Sequence, residues 1–327
     1  MTFAGTTYAT KLRTMKRILT LCLLCLGAAA ASAQDTAPQD TAQDTAAVPP
    51  VRPVTNVLAV QAGNAQIRDT YLTPQLYEGA ALGVQYERWR VMRHSRLTNR
   101  QQAGVDFARG TDRYGHSEQW AGRMDYSYAL HWTVARSASL RASAVPTAGA
   151  WSLMLGPYAG AALGFDYNLK LASSNNPATL RLAGDVGASA MATCYYRIRR
   201  QAVPVQLYVQ WPLVGEAFVP EYGASYYETF YLDHTDGDMR FTSFHNRHDV
   251  DVRLTTDLPL YAIFRRFLTR CDCTLRLGVA LHHEAMRQND ILTRYTAVQG
   301  VVGLVFQQIP FSRKRAGMLR DAYRPAF

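Results

Sequence analysis

VDVRLTTDLPL, residues 250–260, sets apolar Val250, Val252, Leu254 and Leu258 in alternation with Asp251, Arg253, Thr255 and Asp257. An alternation of period two is a strand with one oily and one charged face. Each segment of this kind runs for about ten residues, the length that a tilted membrane-spanning strand needs, whereas most strands of soluble sandwiches are shorter. The pattern recurs along the chain. In QWAGRMDYSYALHW (119–132), Trp120, Met124, Tyr126, Tyr128, Leu130 and Trp132 oppose Arg123, Asp125, Ser127 and His131, with aromatics near both ends of the oily face. In residues 178–199, Leu180, Leu182, Val186, Cys194, Tyr196 and Ile198 oppose Arg181, Asp185, Ser189, Thr193, Arg197 and Arg199. In residues 274–285, Leu275, Leu277, Val279 and Leu281 oppose Arg276, His282 and Glu284.

Further strands are predicted near 54–64, 80–92, 101–110, 155–170, 203–214 and 293–307. The fold class is therefore all-β: a closed antiparallel transmembrane barrel of about ten strands, within a range of eight to twelve because residues 138–154 could extend one strand or add two. Short connections fall near 94–100, 133–138 and 200–202, and longer ones near 65–79, 111–118, 171–177 and 216–248 on the opposite side. That asymmetry is the one expected between periplasmic turns and outer loops. The 261–272 turn is long and amphipathic and is expected to form a small helix at the inner interface.

The start of the chain fits this destination. Basic Lys11, Arg13, Lys16 and Arg17, an apolar run from Ile18 to Ala30 and the small-x-small triplet Ala31-Ser32-Ala33 predict a cleaved signal peptide over 1–33, with Met1 or Met15 as the start. Leu21 and Leu24 stand before Cys22 and Cys25 where lipid attachment needs a small residue, so no lipid anchor is predicted. Residues 34–53 carry three QDTA repeats and then prolines, with no large apolar residue before Val48, and are expected to be a disordered linker. Residues 54–309 then form the barrel domain and 310–327 a basic periplasmic tail. Of the formal charge of +10, the signal segment supplies four cations and the tail much of the remainder. Lipid phosphate suits such a chain better than nucleic acid. The glycine-rich last strand TAVQGVVGLVF suits delivery to the barrel-assembly machinery, although the tail follows it. Cys271 and Cys273 are spaced for neither an easy disulfide nor zinc.

The blocks DTYLTPQLYEG (69–79), SSNNPA (173–178), GASAMA (187–192), PEYGASYYETF (220–230) and FTSFHN (241–246) resemble a family of exported Bacteroidales proteins known only as a domain of unknown function among outer-membrane barrels. The resemblance spans nearly all of the mature domain. It implies a barrel and supplies no activity; the extra residues around 138–151 and the basic tail depart from it.

A barrel of ten strands has a lumen little wider than one that side chains fill. Arg123, Asp125, Asp166, Lys170, Arg181, Asp185, Asp251, Arg253, Asp257, Arg276 and Glu284 are predicted to face inward, where they must pair into a salt-bridge network. An open or narrow channel is the competing reading. The connection 216–248 gathers the densest set of reactive groups. Ser243 and His245 could act as nucleophile and base of a lipid hydrolase or acyltransferase, with Glu228 as orienting acid and Asn246 at the oxyanion, but Ser-x-His is common and a structural loop role is favoured. Asp69, Tyr71, Glu78, Tyr227, Glu228 and His245 form a candidate binding cluster at the outer mouth for an unknown ligand. DHTDGD (233–238) lacks full calcium-loop spacing, and of His282, His283 and Glu284 only the first and last share a face. No metal, cofactor or nucleic-acid partner is predicted, since no nucleotide loop or nucleic-acid module occurs. Outer-membrane lipid is the expected surroundings, and a role other than enzyme is favoured.

Overall fold

The computed structural model describes residues 54–92, 97–138, 140, 147–171, 176–198, 201–220, 238–259 and 274–308. The signal segment, the linker, the 261–272 turn, Cys271, Cys273 and the basic tail lie outside the described residues.

Among the described residues eleven strands follow one another: β1 (Val54–Asp69), β2 (Thr73–Val91), β3 (Leu97–Thr111), β4 (Glu118–Arg136), β5 (Trp151–Asn168), β6 (Ala178–Ile198), β7 (Gln201–Phe218), β8 (Met239–Ser243), β9 (Arg247–Pro259), β10 (Thr274–Gln288) and β11 (Ile291–Gln308). Every pairing is antiparallel, and β1 is bonded to both β2 and β11, so the sheet closes on itself. Ten strands make the wall, because the short β8 is paired only along one end of β7. Closure leaves no open edge along the wall apart from a short gap between β7 and β9. The end carrying the N-terminus of β1 is called proximal below and the other end distal.

The alternation read from the sequence is the alternation of the wall. Along β4, Met124, Trp132 and Val134 are exposed on the outer face while Gln119, Ala121, Ser127, Ala129 and His131 are buried on the inner one. Leu58, Val60, Leu82, Val84, Val105, Leu163, Val186, Leu254, Val279, Val302 and Leu304 continue the exposed apolar belt round the barrel. Aromatics border it. Trp132, Trp151 and Tyr196 stand towards the proximal end, and Phe107, Trp120 and Phe165 towards the distal end. Cys194 is free and exposed on the outer face, as its parity predicts.

Two features depart from the sequence reading, and a third settles an open choice. The connection expected over 65–79 is a tight hairpin, because β1 runs to Asp69 and β2 begins at Thr73. Polar outward pairs such as Gln66 Nε2 donating to Glu78 Oε1 at 2.9 Å continue the ladder there, so the oily alternation that marked the strands has already ended. Lys170 sits in an exposed 3-10 turn, Leu169–Leu171, rather than in the lumen. The stretch 138–154 adds no strand among its described residues, and its last four residues begin β5.

Two positions need special backbone. The β10–β11 hairpin turns on Asn289 and Asp290 alone, with φ of 49° and 60°, the left-handed pair of a two-residue turn matched to strand twist. On the inner face of β5, a Cβ at Gly156 would stand 1.7 Å from the carbonyl oxygen of Leu130, so only glycine lets the two strands approach.

Candidate functional site

Inward residues from strands far apart in sequence meet in layers along the lumen. At the proximal end Trp89, Met154, Met191 and Tyr208 form a buried apolar plug. Arg100, 1% exposed, lies across it with its guanidinium carbon 3.8 Å from the Tyr208 ring centre and 5.2 Å from that of Trp89. Such cation–π contacts gain strength where water is excluded. His131 stacks on Trp89 at 6.0 Å and shares a 2.9 Å hydrogen bond with Ser189 Oγ.

Glu87 sits above the plug and gathers three arginines, Arg100 at 2.8 Å, Arg276 at 2.9 Å and Arg253 at 3.2 Å. Trp89 Nε1 and Gln85 Nε2 also donate to its carboxylate, at 3.1 and 2.8 Å. Arg276 is shared with Asp257 at 2.7 Å, and Arg253 with Asp251 at 2.5 Å. A distal layer repeats the theme with the signs balanced differently. Arg247 binds Asp185 at 2.6 Å, Asp249 at 2.9 Å and Glu284 at 3.1 Å, while Arg123 reaches Glu284 at 3.1 Å and touches His282. Arg181 pairs with Asp166 and lies 3.7 Å from Asp69. Near the distal mouth, Asn168 Nδ2 donates to Tyr77 Oη at 2.8 Å, and Ser117 Oγ donates to Asn168 Oδ1 at 3.3 Å.

Between the two layers is a polar chamber of about 50 Å3, lined by Gln102, Asp106, Asp125 and Gln299 together with Arg123, Arg253 and His282, among others. That volume holds a few waters, since each needs roughly 10–15 Å3 of such space. Asp106 accepts a hydrogen bond from Gln299 Nε2 at 3.3 Å and Asp125 one from Gln102 Nε2 at 3.3 Å; among the described residues no guanidinium is in direct contact with either, although Arg123 and Arg253 line the same chamber. Among the described residues the lumen carries six arginines (Arg100, Arg123, Arg181, Arg247, Arg253 and Arg276). Against these stand ten carboxylates: Asp69, Glu87, Asp106, Asp125, Asp166, Asp185, Asp249, Asp251, Asp257 and Glu284.

The predicted nucleophile and base lie on the wall. β7 pairs with β9 only from Val205–Gln210 against Thr256–Asp251, then with β8 from Val214–Phe218 against Ser243–Met239. Between these ladders, Trp211–Leu213 face the longer stretch Phe244–Val250, and the surplus chain bulges into a turn closed by the Asn246 N–H donating to the Ser243 carbonyl at 3.1 Å. Pro212, with no N–H to offer, falls in the unpaired stretch. Ser243 Oγ is hydrogen-bonded to His245 Nδ1. Asn246 is occupied in holding the turn: its Oδ1 accepts from Ser243 N at 2.8 Å, and its Nδ2 donates to the Phe241 carbonyl at 2.9 Å. Phe244 packs edge-on against the outward Trp211 at 5.3 Å, so the turn faces the barrel exterior, and Phe241 is 61% exposed beside it.

Of the six outer-mouth residues, the four that are described do not converge. Asp69 is fully buried and inward, Glu78 is exposed on the outer face of the neighbouring strand, and Tyr71 packs against the mouth cluster of Ala217, Val219, Met286 and Ile291. His245 is exposed on the turn; Tyr227, Glu228, His234 and Asp236 lie outside the described residues. Asp238 is buried and its carbonyl accepts from the Val219 N–H at 2.7 Å. Sequence reasoning missed Glu87, Trp89, Arg100, Asp106, Arg247 and Asp249. Glu87 and Trp89 belong to ERWR (87–90), whose outward residues are Arg88 and Arg90, so an oily-out rule reads them backwards. Arg247 falls within the connection 216–248 and Asp249 in the one position between it and the segment 250–260.

A family model described as "Protein of unknown function (DUF3316)" matches residues 18–315. No curated protein matches the chain. Among solved structures, the outer membrane protease OmpT from Escherichia coli is similar at 7% identity and a TM-score of 0.40, over 78% of this chain and 97% of that one. The transport unit of the autotransporter AIDA-I from Escherichia coli is similar at 8% identity and a TM-score of 0.39, over 76% and 89%. The COG4313 outer membrane channel from Pseudomonas putida F1 is similar at 10% identity and a TM-score of 0.30, over 82% and 100%.

Proposed function

The chain belongs to the DUF3316 family of proteins of unknown function, and from that premise we propose that it is an integral outer-membrane barrel of a Bacteroidales-type Gram-negative cell. Its lumen is sealed to solutes, and its role is structural or binding. The apolar belt carries the first part of this reading. Trp120 and Trp132 on β4 are twelve residues apart, or about 40 Å of strand at ~3.3 Å per residue. A tilt of about 45° projects this to about 28 Å, close to the hydrocarbon thickness of a bilayer. A belt of this area in water would be a strong aggregation surface.

The layered lumen carries the second part. A passage for solutes would have to cross the Trp89–Met191–Tyr208 plug and two arginine–carboxylate layers, each of which is held by several simultaneous contacts. The test is fractionation of cells expressing the full chain, followed by electrophoresis of the extracted protein with and without heating. A protein that needs detergent and migrates faster unheated supports the reading; protein soluble without detergent removes it.

A second reading, lipid ester hydrolysis or acyl transfer at the outer wall, rests on the Ser243–His245 hydrogen bond beside Trp211 and Phe244. The contact uses Nδ1, whereas a triad of the serine-protease type presents Nε2 to the nucleophile and Nδ1 to the acid. A local i to i+2 bond inside a turn accounts for it equally well. Ester cleavage by detergent-solubilised protein that Ser243→Ala abolishes would establish this reading, and activity unchanged in that variant would dismiss it.

A further inference from the structure

We propose, on the premise that the barrel sits in the outer membrane, that the outer face of its distal rim is a docking site for the phosphate of an anionic lipid. The site lies where β9, β10, β11 and β1 run side by side. Their registers bring four outward residues into one row across the wall: His248 faces Ala285, Ala285 faces Arg294, and Arg294 faces Arg68. The row spans three strand spacings, about 14 Å at ~4.8 Å each. Arg287 stands one outward position beyond Ala285, and His283 one position before it, with its Nδ1 sharing a 2.8 Å hydrogen bond with Thr296 Oγ1. The small Ala285 is thus the floor of a shallow basin rimmed by guanidinium and imidazole groups.

Like charges directly opposite each other destabilise a strand pair, and Arg68 against Arg294 is such a pair. Nothing on the wall offsets it. Among the described residues no carboxylate forms an ion pair with Arg68, Arg287 or Arg294, and the outward Glu78 is engaged by Gln66. The register shift between Ile67 and Asp69 leaves Arg68 without a facing residue on β2, and its Nε is buried with no acceptor. A buried donor of this kind is normally satisfied. Elsewhere on the same rim the wall supplies its own anion, since Arg109 Nη2 donates to Glu118 Oε2 at 2.9 Å. Depth selects a lipid as the source of the missing charge. On β10 and β11 the basin begins two residues past Leu281 and Val298, the last exposed apolar residues of the belt. Acyl chains against that belt bring a headgroup phosphate to the level of the arginines, whose forked donors match its oxygens.

The experiment uses the full mature barrel in detergent, its folding checked by heat-dependent mobility, with bound lipid counted by native mass spectrometry. Phosphatidic acid is titrated against phosphatidylcholine, and inorganic phosphate is added as a competitor. The expected result is one phosphatidic acid retained per chain in preference to phosphatidylcholine, and not displaced by millimolar phosphate. Joint substitution Arg68→Gln and Arg294→Gln should lower that affinity at least about tenfold, the loss of two cations at a charged lipid surface. Arg109→Gln, which removes a cation already matched by Glu118, should leave it unchanged. If the double variant does not fold, the single Arg294→Gln, at an exposed position, decides with a loss of about fivefold. No preference for phosphatidic acid, displacement by free phosphate, unchanged binding in the arginine variants, or an equal loss in Arg109→Gln each overturns the proposal while the barrel stands. Protein that is soluble without detergent overturns both the proposal and the outer-membrane reading beneath it.

Discussion

The proximal and middle parts of the lumen are built from the same residue types and solve opposite problems. Around Glu87 one carboxylate is surrounded by Arg100, Arg253 and Arg276, and the charge is closed off from one side by the aromatic and methionine plug. Around Asp106 and Asp125, two carboxylates share a small chamber with amides, and Arg123 and Arg253 line it without bonding either of them directly. A buried charge that is matched holds strands together across the barrel, whereas one without a direct partner opposes folding. The same acidic side chain is therefore directly bonded by guanidinium groups in one layer and only loosely matched in the next.

Substitutions separate the two. The largest effect is expected for Glu87→Gln, which leaves three arginines facing one another; loss of one partner of a buried ion network costs about 3–5 kcal/mol. Urea or thermal unfolding of the detergent-folded protein reads it, and a loss below about 1 kcal/mol would mean that the network is dispensable. Next comes Met191→Ala. Met191 is 1% exposed within the plug, and its truncation should cost about 2–3 kcal/mol through the cavity it leaves. By contrast Asp106→Asn should leave stability within about 1 kcal/mol of the wild type or raise it, because it removes a buried charge that no guanidinium bonds directly. If Asp106→Asn and Glu87→Gln were equally damaging, the distinction between the two layers would fail.

The smallest effect lies outside the lumen. In the β3–β4 connection the carboxylate of Asp112 is subject to burial, which raises its pKa, but the N–H groups of Ser117 and His116 outweigh this and hold it below its usual value. A carboxylate whose folded pKa is lowered stabilises above its unfolded pKa, and this contribution is lost as the pH falls through the folded value. Asp112→Asn should accordingly be slightly less resistant to proteolysis in this hairpin at neutral pH, and the difference from wild type should vanish in acid.

The wall was legible in the sequence because its code is local. Whether Met124 faces out and Arg123 in is decided by neighbours within one strand, and all ten wall strands lie where alternation places them. The lumen was legible only as a class of residue. Arg123 and Glu284, or Glu87 and Arg276, are 161 and 189 residues apart, and their pairing depends on barrel closure and on registers that alternation does not specify. The rule also inverts at the rims. Outside the apolar belt, outward residues such as Arg88 and Arg90 are polar and the inward Trp89 is apolar, so the plug was hidden by the pattern that revealed the strands. The β7–β9 seam was read as part of a long loop because its bulge interrupts the period over Phe244–Asn246, although Ser243 and Arg247 on either side belong to strands.

Single-channel recording in planar bilayers tests the central claim, a barrel sealed by its own side chains, most directly. The recording should use the full mature protein, from a preparation whose electrophoretic mobility is shown to depend on heating. The wild-type barrel should give no discrete conductance steps at any applied voltage, with the plug of Trp89, Met154, Met191 and Tyr208 and the arginine layers in place. Regular steps of uniform size from that same folded preparation would contradict the account and make the lumen a pathway.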